Sequence, residues 1–314
     1  MQPILNHKAT AILLPAVLGL GGAALSVSVF EQYGWSLFLG LPILVSFLSA
    51  FSWCFKRQMS FNSAYSISCG SILALGGLIM LFALDGVICL LMALPLAFAL
   101  ALLGTFLGRL VASSIGGAGG NTTASLLLLA FPFLVAFEDA TAPEPVIREV
   151  TTSVLIDAEI EEVWKMVIAF PEITEAPEGI FRLGIAYPIE ATIEGEGVGA
   201  IRYCTFSTGS FVEPITVWNK PKHLAFDVTE NPPPMKELSL YEDMHAPHLH
   251  GHMVSKKGQF RLIERGNKVL LEGTTWYSHS ISPEFYWGFV SDAIIHKIHL
   301  RVLNHIKRHS EKED

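Results

Sequence analysis

Charge is spread so unevenly along this chain that it dictates two kinds of fold. Of 21 basic and 29 acidic side chains, six lie in the first 137 residues (Lys8, Glu31, Lys56, Arg57, Asp85 and Arg109), and the other 44 lie in the last 177. A domain that folds in water keeps charged residues on its surface. The first part has almost none and must be solvated by lipid; the second has an ordinary aqueous surface.

Five apolar runs fall between the sparse charges, at about 11–30, 35–55, 64–84, 86–107 and 122–137. Crossing a hydrocarbon core takes about 20 helical residues. Only helices satisfy every backbone group of such a segment in lipid, so the runs read as a bundle of about five transmembrane helices over residues 1–138. The first run is too long, and followed by too many others, for a secretory signal peptide. With five spans, Lys8, Lys56, Arg57 and Arg109 share one side, while Glu31, Asp85, Glu138 and Asp139 share the other. Basic short loops stay in the cytoplasm, which places the C-terminal domain outside it. No span carries a central ionisable residue, which argues against ion-coupled transport. Gly104-Thr-Phe-Leu-Gly108 fits a small-xxx-small packing pattern. The glycine-rich stretch 116–120 lacks a following Lys-Ser/Thr and reads as a turn, not a phosphate loop. Cys54, Cys69 and Cys89 belong to the apolar part, and Cys204 is the one cysteine of the polar part, which leaves it no disulfide partner there.

Residues 139–145 form a Pro-containing linker, and 146–314 suit one domain. The pattern predicts a strand over 149–156, a helix capped by Asp157 that stops at Pro171, and a short helical turn over 172–175. Period-two strands follow at 187–194, 199–207, 210–219 and 223–229, with Pro214 marking an edge or a bulge. After Pro232-Pro233-Pro234 comes an irregular stretch to about Leu249, then strands at 258–264 and 268–278 joined at Arg265-Gly266-Asn267. A last helix runs from Ser282-Pro283 to about His309, with Trp287, Val290, Ile294, Ile298, Val302 and Ile306 on its apolar face.

That order is the order of an α+β helix-grip domain, an antiparallel curved sheet around a long C-terminal helix with a cavity between them. Val154-Leu-Ile-Asp-Ala-Glu-Ile-Glu-Glu-Val-Trp164, Gly197-Val-Gly-Ala-Ile-Arg-Tyr203 and Gly209-Ser-Phe-Val-Glu213 resemble the opening strand and helix and the central strands of the SRPBCC superfamily, which includes START, Bet v 1-like and polyketide cyclase-like domains. The resemblance covers about 146–308 and implies a cavity for an apolar ligand. It does not extend to the membrane bundle. The chain is then expected to be an integral protein of a bacterial plasma membrane, with the bilayer and an apolar small molecule or lipid as partners, and able to self-associate through its membrane helices.

Along 199–207, Arg202, Cys204 and Phe206 share one strand face, and Tyr203 lies on the other. Along 210–219, Phe211, Glu213 and Ile215 alternate with Val212, Thr216 and Trp218; Glu272 and Trp276 share a face of the last strand. Arg202, Tyr203, Glu213, Trp218, Glu272, Trp276 and Trp287 are the candidate ligand-binding residues, with Arg202 and Glu213 able to pair or to grip a head group. Histidines crowd at His245, His248, His250 and His252, and Asp292, His296 and His299 stand at i, i+4 and i+7 on the last helix. Imidazole suits zinc, copper or nickel. The spacing matches no metal motif, so His248, His250, His252, His296 and His299 rank below a plain polar loop and a solvated helix face. No motif asks for a cofactor, no Gly-x-Ser-x-Gly elbow is present, and a net charge of −8 argues against nucleic acid. Ligand binding is the leading reading. A cyclase or dehydratase acting through Glu213 or a histidine, and a non-catalytic sensor or assembly module, are the alternatives.

Overall fold

The computed structural model describes residues 8–114, 118–141, 144–239, 241 and 251–311. The chain divides into two compact units. One comprises Met1–Pro143 with Glu237–Pro247 and Ile281–Pro283; the other comprises Glu144–Lys236, His248–Ser280 and Glu284–Asp314.

The first unit is helical: α1 (Lys8–Ala24), α2 (Leu41–Cys54), α3 (Phe61–Leu81), α4 (Val87–Ser114) and α5 (Ala118–Ala140), with π-helical turns at Leu25–Val29 and Ser36–Gly40. Among the described residues, four helices are long and apolar enough to cross a membrane: Lys8–Val29, Ser36–Cys54, Phe61–Leu81 and Val87–Ser114. The fifth apolar run lies in α5, several of whose first side chains lie outside the described residues. Gly119 and Gly120 belong to that helix and not to a turn, because α5 starts at Ala118.

Burial in this unit is reversed relative to a water-soluble fold. Ala16, Ala50, Ala101, Ser46, Ser49, Ser68, Ser71 and Thr105 are fully buried, while Leu13, Val17, Phe106 and Phe133 are 52% to 77% exposed. Lipid tails are as apolar as leucine, so helices in lipid associate through small residues and hydroxyls. Gly104 and Gly108 show the small-residue half of that rule within one chain. A Cβ at Gly104 would stand 2.5 Å from the Ile43 carbonyl oxygen, and one at Gly108 would stand 2.4 Å from that of Phe47. The motif is therefore a seam between α4 and α2. Hydroxyls supply the other half. Ser49 donates to the Ala11 carbonyl at 2.8 Å, Ser68 donates to the Ser46 carbonyl at 3.1 Å, and Thr105 donates to Ser68 at 2.8 Å.

The second unit opens with β1 (Ile147–Ile156) and α6 (Ile160–Ile168) and continues through β2 (Pro188–Glu194), β3 (Ile201–Phe206), β4 (Gly209–Asn219), β5 (His223–Asp227), β6 (Met253–Arg265) and β7 (Lys268–His279) to α7 (Glu284–Ser310). The seven strands form one sheet in the order β1-β7-β6-β5-β4-β3-β2, antiparallel throughout. The sheet curls around α7, and a core including Ile156, Val163, Trp164, Leu224, Leu271, Leu303 and Ile306 fills much of the space between them. This is the helix-grip arrangement.

Three local expectations change, and of the two readings of Pro214 the bulge holds. Residues 172–175 are not helical, because Phe170 bridges Ala191 and the Ile173 amide donates to the Ile189 carbonyl at 2.7 Å, drawing this segment onto β2; a 3₁₀ turn at Gly179–Leu183 follows instead. The cap of α6 is Glu159; Asp157 pairs with Lys268 at 3.0 Å. β6 begins at Met253, five residues earlier than its glycine suggested. Gly258 sits inside that strand because a Cβ there would meet the Phe226 ring at 2.6 Å. Pro214 lies on an internal strand beside a register shift between Ile215 and Val217. An extra residue in a strand inverts its alternation. Trp218 is thereby turned into the core, edge-on to Trp164 at 5.8 Å.

Candidate functional site

A cavity of about 160 Å³ lies in the second unit between the concave sheet face and α7. Phe206, Phe211, Phe226, Phe260, Ile298 and Val302 supply apolar wall, and Arg202, Cys204, Glu213, Thr275 and His299 supply polar wall. Strand alternation explains the selection: Arg202, Cys204 and Phe206 are the buried positions of β3, and Glu213 is the residue opposite Arg202 on β4.

Arg202 and Glu213 form an ion pair and are 1% and 6% exposed. Arg202 Nε also donates to the Ile168 carbonyl at 3.1 Å, at the C-terminal end of α6 where the helix dipole favours a cation. Phe170, Phe226 and Phe260 surround its guanidinium at 5.6 to 5.8 Å. Burial works to lower the Arg202 pKa, and the Glu213 charge reverses this, so the guanidinium stays charged. Burial pushes the Glu213 carboxyl up, with Arg202 pulling the other way. Burial, aided by Glu213, pushes the Cys204 thiol up to about 12 against the pull of Arg202. A nucleophilic cysteine needs thiolate near neutral pH, so Cys204 stands in the wall as a neutral thiol.

His299 is held at both ring nitrogens. Nε2 lies 2.8 Å from the Thr275 hydroxyl, and Nδ1 lies 3.1 Å from the Thr152 hydroxyl. Burial and the neighbouring His296 push its pKa down to about 4, so the ring is neutral at physiological pH. A second polar cluster anchors the start of α7. Arg148 grips Asp292 with two nitrogens and Glu284 at 2.7 Å, and the buried Tyr277 donates to Asp292 at 2.7 Å. Burial raises the Asp292 carboxyl, but the hydrogen bonds from Arg148 and Tyr277 outweigh it and hold the carboxyl below its usual range.

Of the seven residues singled out from the sequence, Arg202 and Glu213 line the cavity. Tyr203 is on the opposite face of β3 and does not line it; Trp218 is core. Glu272 and Trp276 point away from the concave face. The Trp276 indole donates to Glu149 at 2.9 Å and carries the Lys257 ammonium 4.6 Å from its ring centroid. Trp287 is buried against Tyr286, at 5.3 Å between rings. Among the described histidines, His296 and His299 both turn to the Thr152 hydroxyl, and His252 lies 2.7 Å from the Ser280 hydroxyl. His245, His248 and His250 lie outside the described residues. Among the described residues, the one set of His, Cys, Asp or Glu close enough to hold a metal is Asp85, Cys89 and Glu237, which belongs to the helical unit. Glu237 already accepts from the Ile88 and Cys89 amides at 3.0 and 3.2 Å, and Asp85 from the Gly86 amide at 2.7 Å. These carboxylates cap the start of α4. Sequence reasoning missed this set because Glu237 is far from α4 in the chain.

No protein-family model and no curated protein matches the chain. Solved structures align with it at low identity and over its C-terminal half. Norcoclaurine synthase from Thalictrum flavum, in complex with dopamine and hydroxybenzaldehyde, is 14% identical over 52% of this chain and 86% of its own, with a TM-score of 0.34. The Zhui aromatase/cyclase from Streptomyces sp. R1128 is 14% identical over 52% of this chain and 94% of its own, with a TM-score of 0.34. A protein from Nitrosospira multiformis is 16% identical over 52% of this chain and 97% of its own, with a TM-score of 0.34.

Proposed function

We propose that the chain is a membrane-anchored, SRPBCC-like protein whose helix-grip cavity binds a neutral apolar molecule, such as a lipid or isoprenoid, drawn from the bilayer. The observation that carries this reading is the wall of the cavity. It is largely aromatic and aliphatic, and its buried charge is matched: Arg202 pairs with Glu213 and His299 is neutral, while the exposed Lys257 ammonium turns to the Trp276 ring on the other face of the sheet. A carboxylate or phosphate would need a cation free to meet it, so an uncharged ligand suits this wall. The membrane side belongs to the same proposal. The helical unit holds the protein in a plasma membrane, with the sheet unit on the extracytoplasmic face and helices available for self-association.

The test uses the full chain in lipid nanodiscs. Native mass spectrometry should find a co-purified neutral lipid, and N-phenylnaphthylamine should show saturable fluorescence enhancement that Ile298→Trp, which fills the cavity, removes. Equal enhancement in the two proteins, with no bound lipid, would sink the reading. A cyclase or dehydratase is the second reading, supported by an imidazole and a carboxyl at the cavity wall. The open cavity speaks against a purely docking module.

A further inference from the structure

The polar end of the cavity continues outward through side chains from three elements. Thr275 of β7 and His299 of α7 line the cavity, 2.8 Å apart between hydroxyl and Nε2. The other ring nitrogen, Nδ1, lies 3.1 Å from Oγ1 of Thr152 on β1. The same oxygen lies 2.7 Å from Nδ1 of His296. Thr152 is 3% exposed, whereas His296 is exposed to solvent. An unbroken line of hydrogen bonds therefore runs from the cavity to the surface.

A hydroxyl has one proton to donate and two lone pairs, and a neutral imidazole has one donor and one acceptor nitrogen. When His296 Nδ1 is bare, Thr152 donates to it and accepts from His299 Nδ1–H. His299 Nε2 then accepts from Thr275. When His296 is protonated at Nδ1, it donates to Thr152, which now donates to His299 Nδ1. The His299 proton must then sit on Nε2 and point at the Thr275 oxygen, and the Thr275 proton turns to the cavity.

We propose that Thr275, His299, Thr152 and His296 form a proton relay between the cavity and bulk water, and that the bound molecule presents an ionisable hydroxyl, or a carbonyl, to Thr275. This rests on the cavity being a ligand site. In the outward direction the ligand hydroxyl gives its proton to Thr275 Oγ1 as the Thr275 proton passes to His299 Nε2. The His299 Nδ1 proton passes to Thr152, the Thr152 proton passes to His296 Nδ1, and His296 releases its Nε2 proton to water. The two hydroxyls and both imidazoles finish with as many protons as they began. Solvent gains a proton, and the ligand, bound uncharged, is an oxyanion only until a proton returns. The reverse sequence protonates a ligand oxygen. Burial holds His299 neutral, so it passes a proton without storing charge, and the exposed His296 takes the charge where water solvates it. Nearby ionisable groups are engaged elsewhere: Asp292 on α7 with Arg148 and Tyr277, Glu149 on β1 with Trp276, and Glu213 across the cavity with Arg202.

A mere tether of α7 to β1 would have the same distances but would not couple the two rings. The full chain, carrying histidine labelled with an NMR-active nitrogen isotope, is titrated in nanodiscs until the His296 signals report its protonation. His299 is expected to stay neutral and to switch fully from the Nδ1–H to the Nε2–H tautomer as His296 protonates. Thr152→Ser should keep the switch, and Thr152→Val should abolish it while both rings remain visible. A His299 tautomer that stays fixed through the His296 titration overturns the relay, as does a switch that persists in Thr152→Val. If Thr152→Val does not fold, the unsubstituted chain decides alone. No ligand enters this experiment, so its failure leaves the binding reading standing, and a failure of lipid or N-phenylnaphthylamine to bind would count against that reading only.

Discussion

In the helical unit the hydrogen-bonded groups buried between helices are serine and threonine hydroxyls; in the sheet unit they include a complete ion pair. Ser49, Ser68 and Thr105 each reach a carbonyl or another hydroxyl on a neighbouring helix, and the core positions around them are mostly alanine, valine and leucine. Arg202 and Glu213 instead face each other among phenylalanine rings at the wall of a cavity. A hydroxyl in a membrane bundle has alternative partners when the helices separate, so it contributes little beyond fixing the fit. A buried charge has no alternative when its partner is lost. The same act of burying polarity is thus cheap in one unit and costly in the other.

That contrast can be broken by substitution. Arg202→Leu or Glu213→Gln leaves one partner stranded and should destabilise the sheet unit by about 3–5 kcal/mol in chemical denaturation followed by near-UV circular dichroism. The double change Arg202→Met with Glu213→Leu should recover most of the loss. A double variant as weak as the single ones would show that packing, not charge, sets the cost. Next in size is His299. Its pKa of about 4 in the folded chain lies below the ordinary value of 6.5, so the unfolded chain binds the proton more tightly. Its contribution to stability is complete above pH 6.5 and is lost as pH falls from there towards about 4. The loss amounts to at most about 3 kcal/mol. Thermal melts of the unsubstituted chain should therefore fall more steeply over that window than melts of His299→Gln, and parallel curves would remove the effect.

In the helical unit, Gly108→Val drives a side chain into the α2 backbone and should cost about 1–3 kcal/mol in unfolding by denaturing detergent. The smallest effect is expected for Ser49→Ala, about 0.6 kcal/mol by the same measurement. A loss comparable with that of Arg202→Leu would erase the distinction between the units.

Much of this is legible in the sequence. Sparse charge separates the units because lipid and water demand different surfaces. Strand alternation put Arg202, Cys204 and Phe206 on one side of β3 and Phe211 and Glu213 on the matching side of β4, which are the sides that line the cavity. Alternation failed at Trp218, because the irregularity between Ile215 and Val217 inverts the strand and nothing in its residues announces that beyond Pro214. It failed at the start of β6, because Gly258 reads as a break until the Phe226 ring lying over it is known. The histidines showed the limit most clearly. Spacing along α7 suggested a metal stripe, yet the partner that organises His296 and His299 is Thr152, which lies on the first strand, 144 and 147 residues away. Local pattern carries no record of a contact that distant.

The pairing of β1 with β7 also governs how this protein is made. Ile147 to Ile156 are matched residue by residue with Ser278 to Val269, so the first strand to leave the ribosome waits for the last. At about 5–20 residues per second, synthesis of the intervening chain takes several seconds or more. Throughout that interval the α1–α5 segment has already been synthesised and β1 presents an unpaired edge. Until β7 emerges, β1 is without the neighbour it pairs with in the sheet, and a ribosome stalled before β7 would leave that strand unpaired.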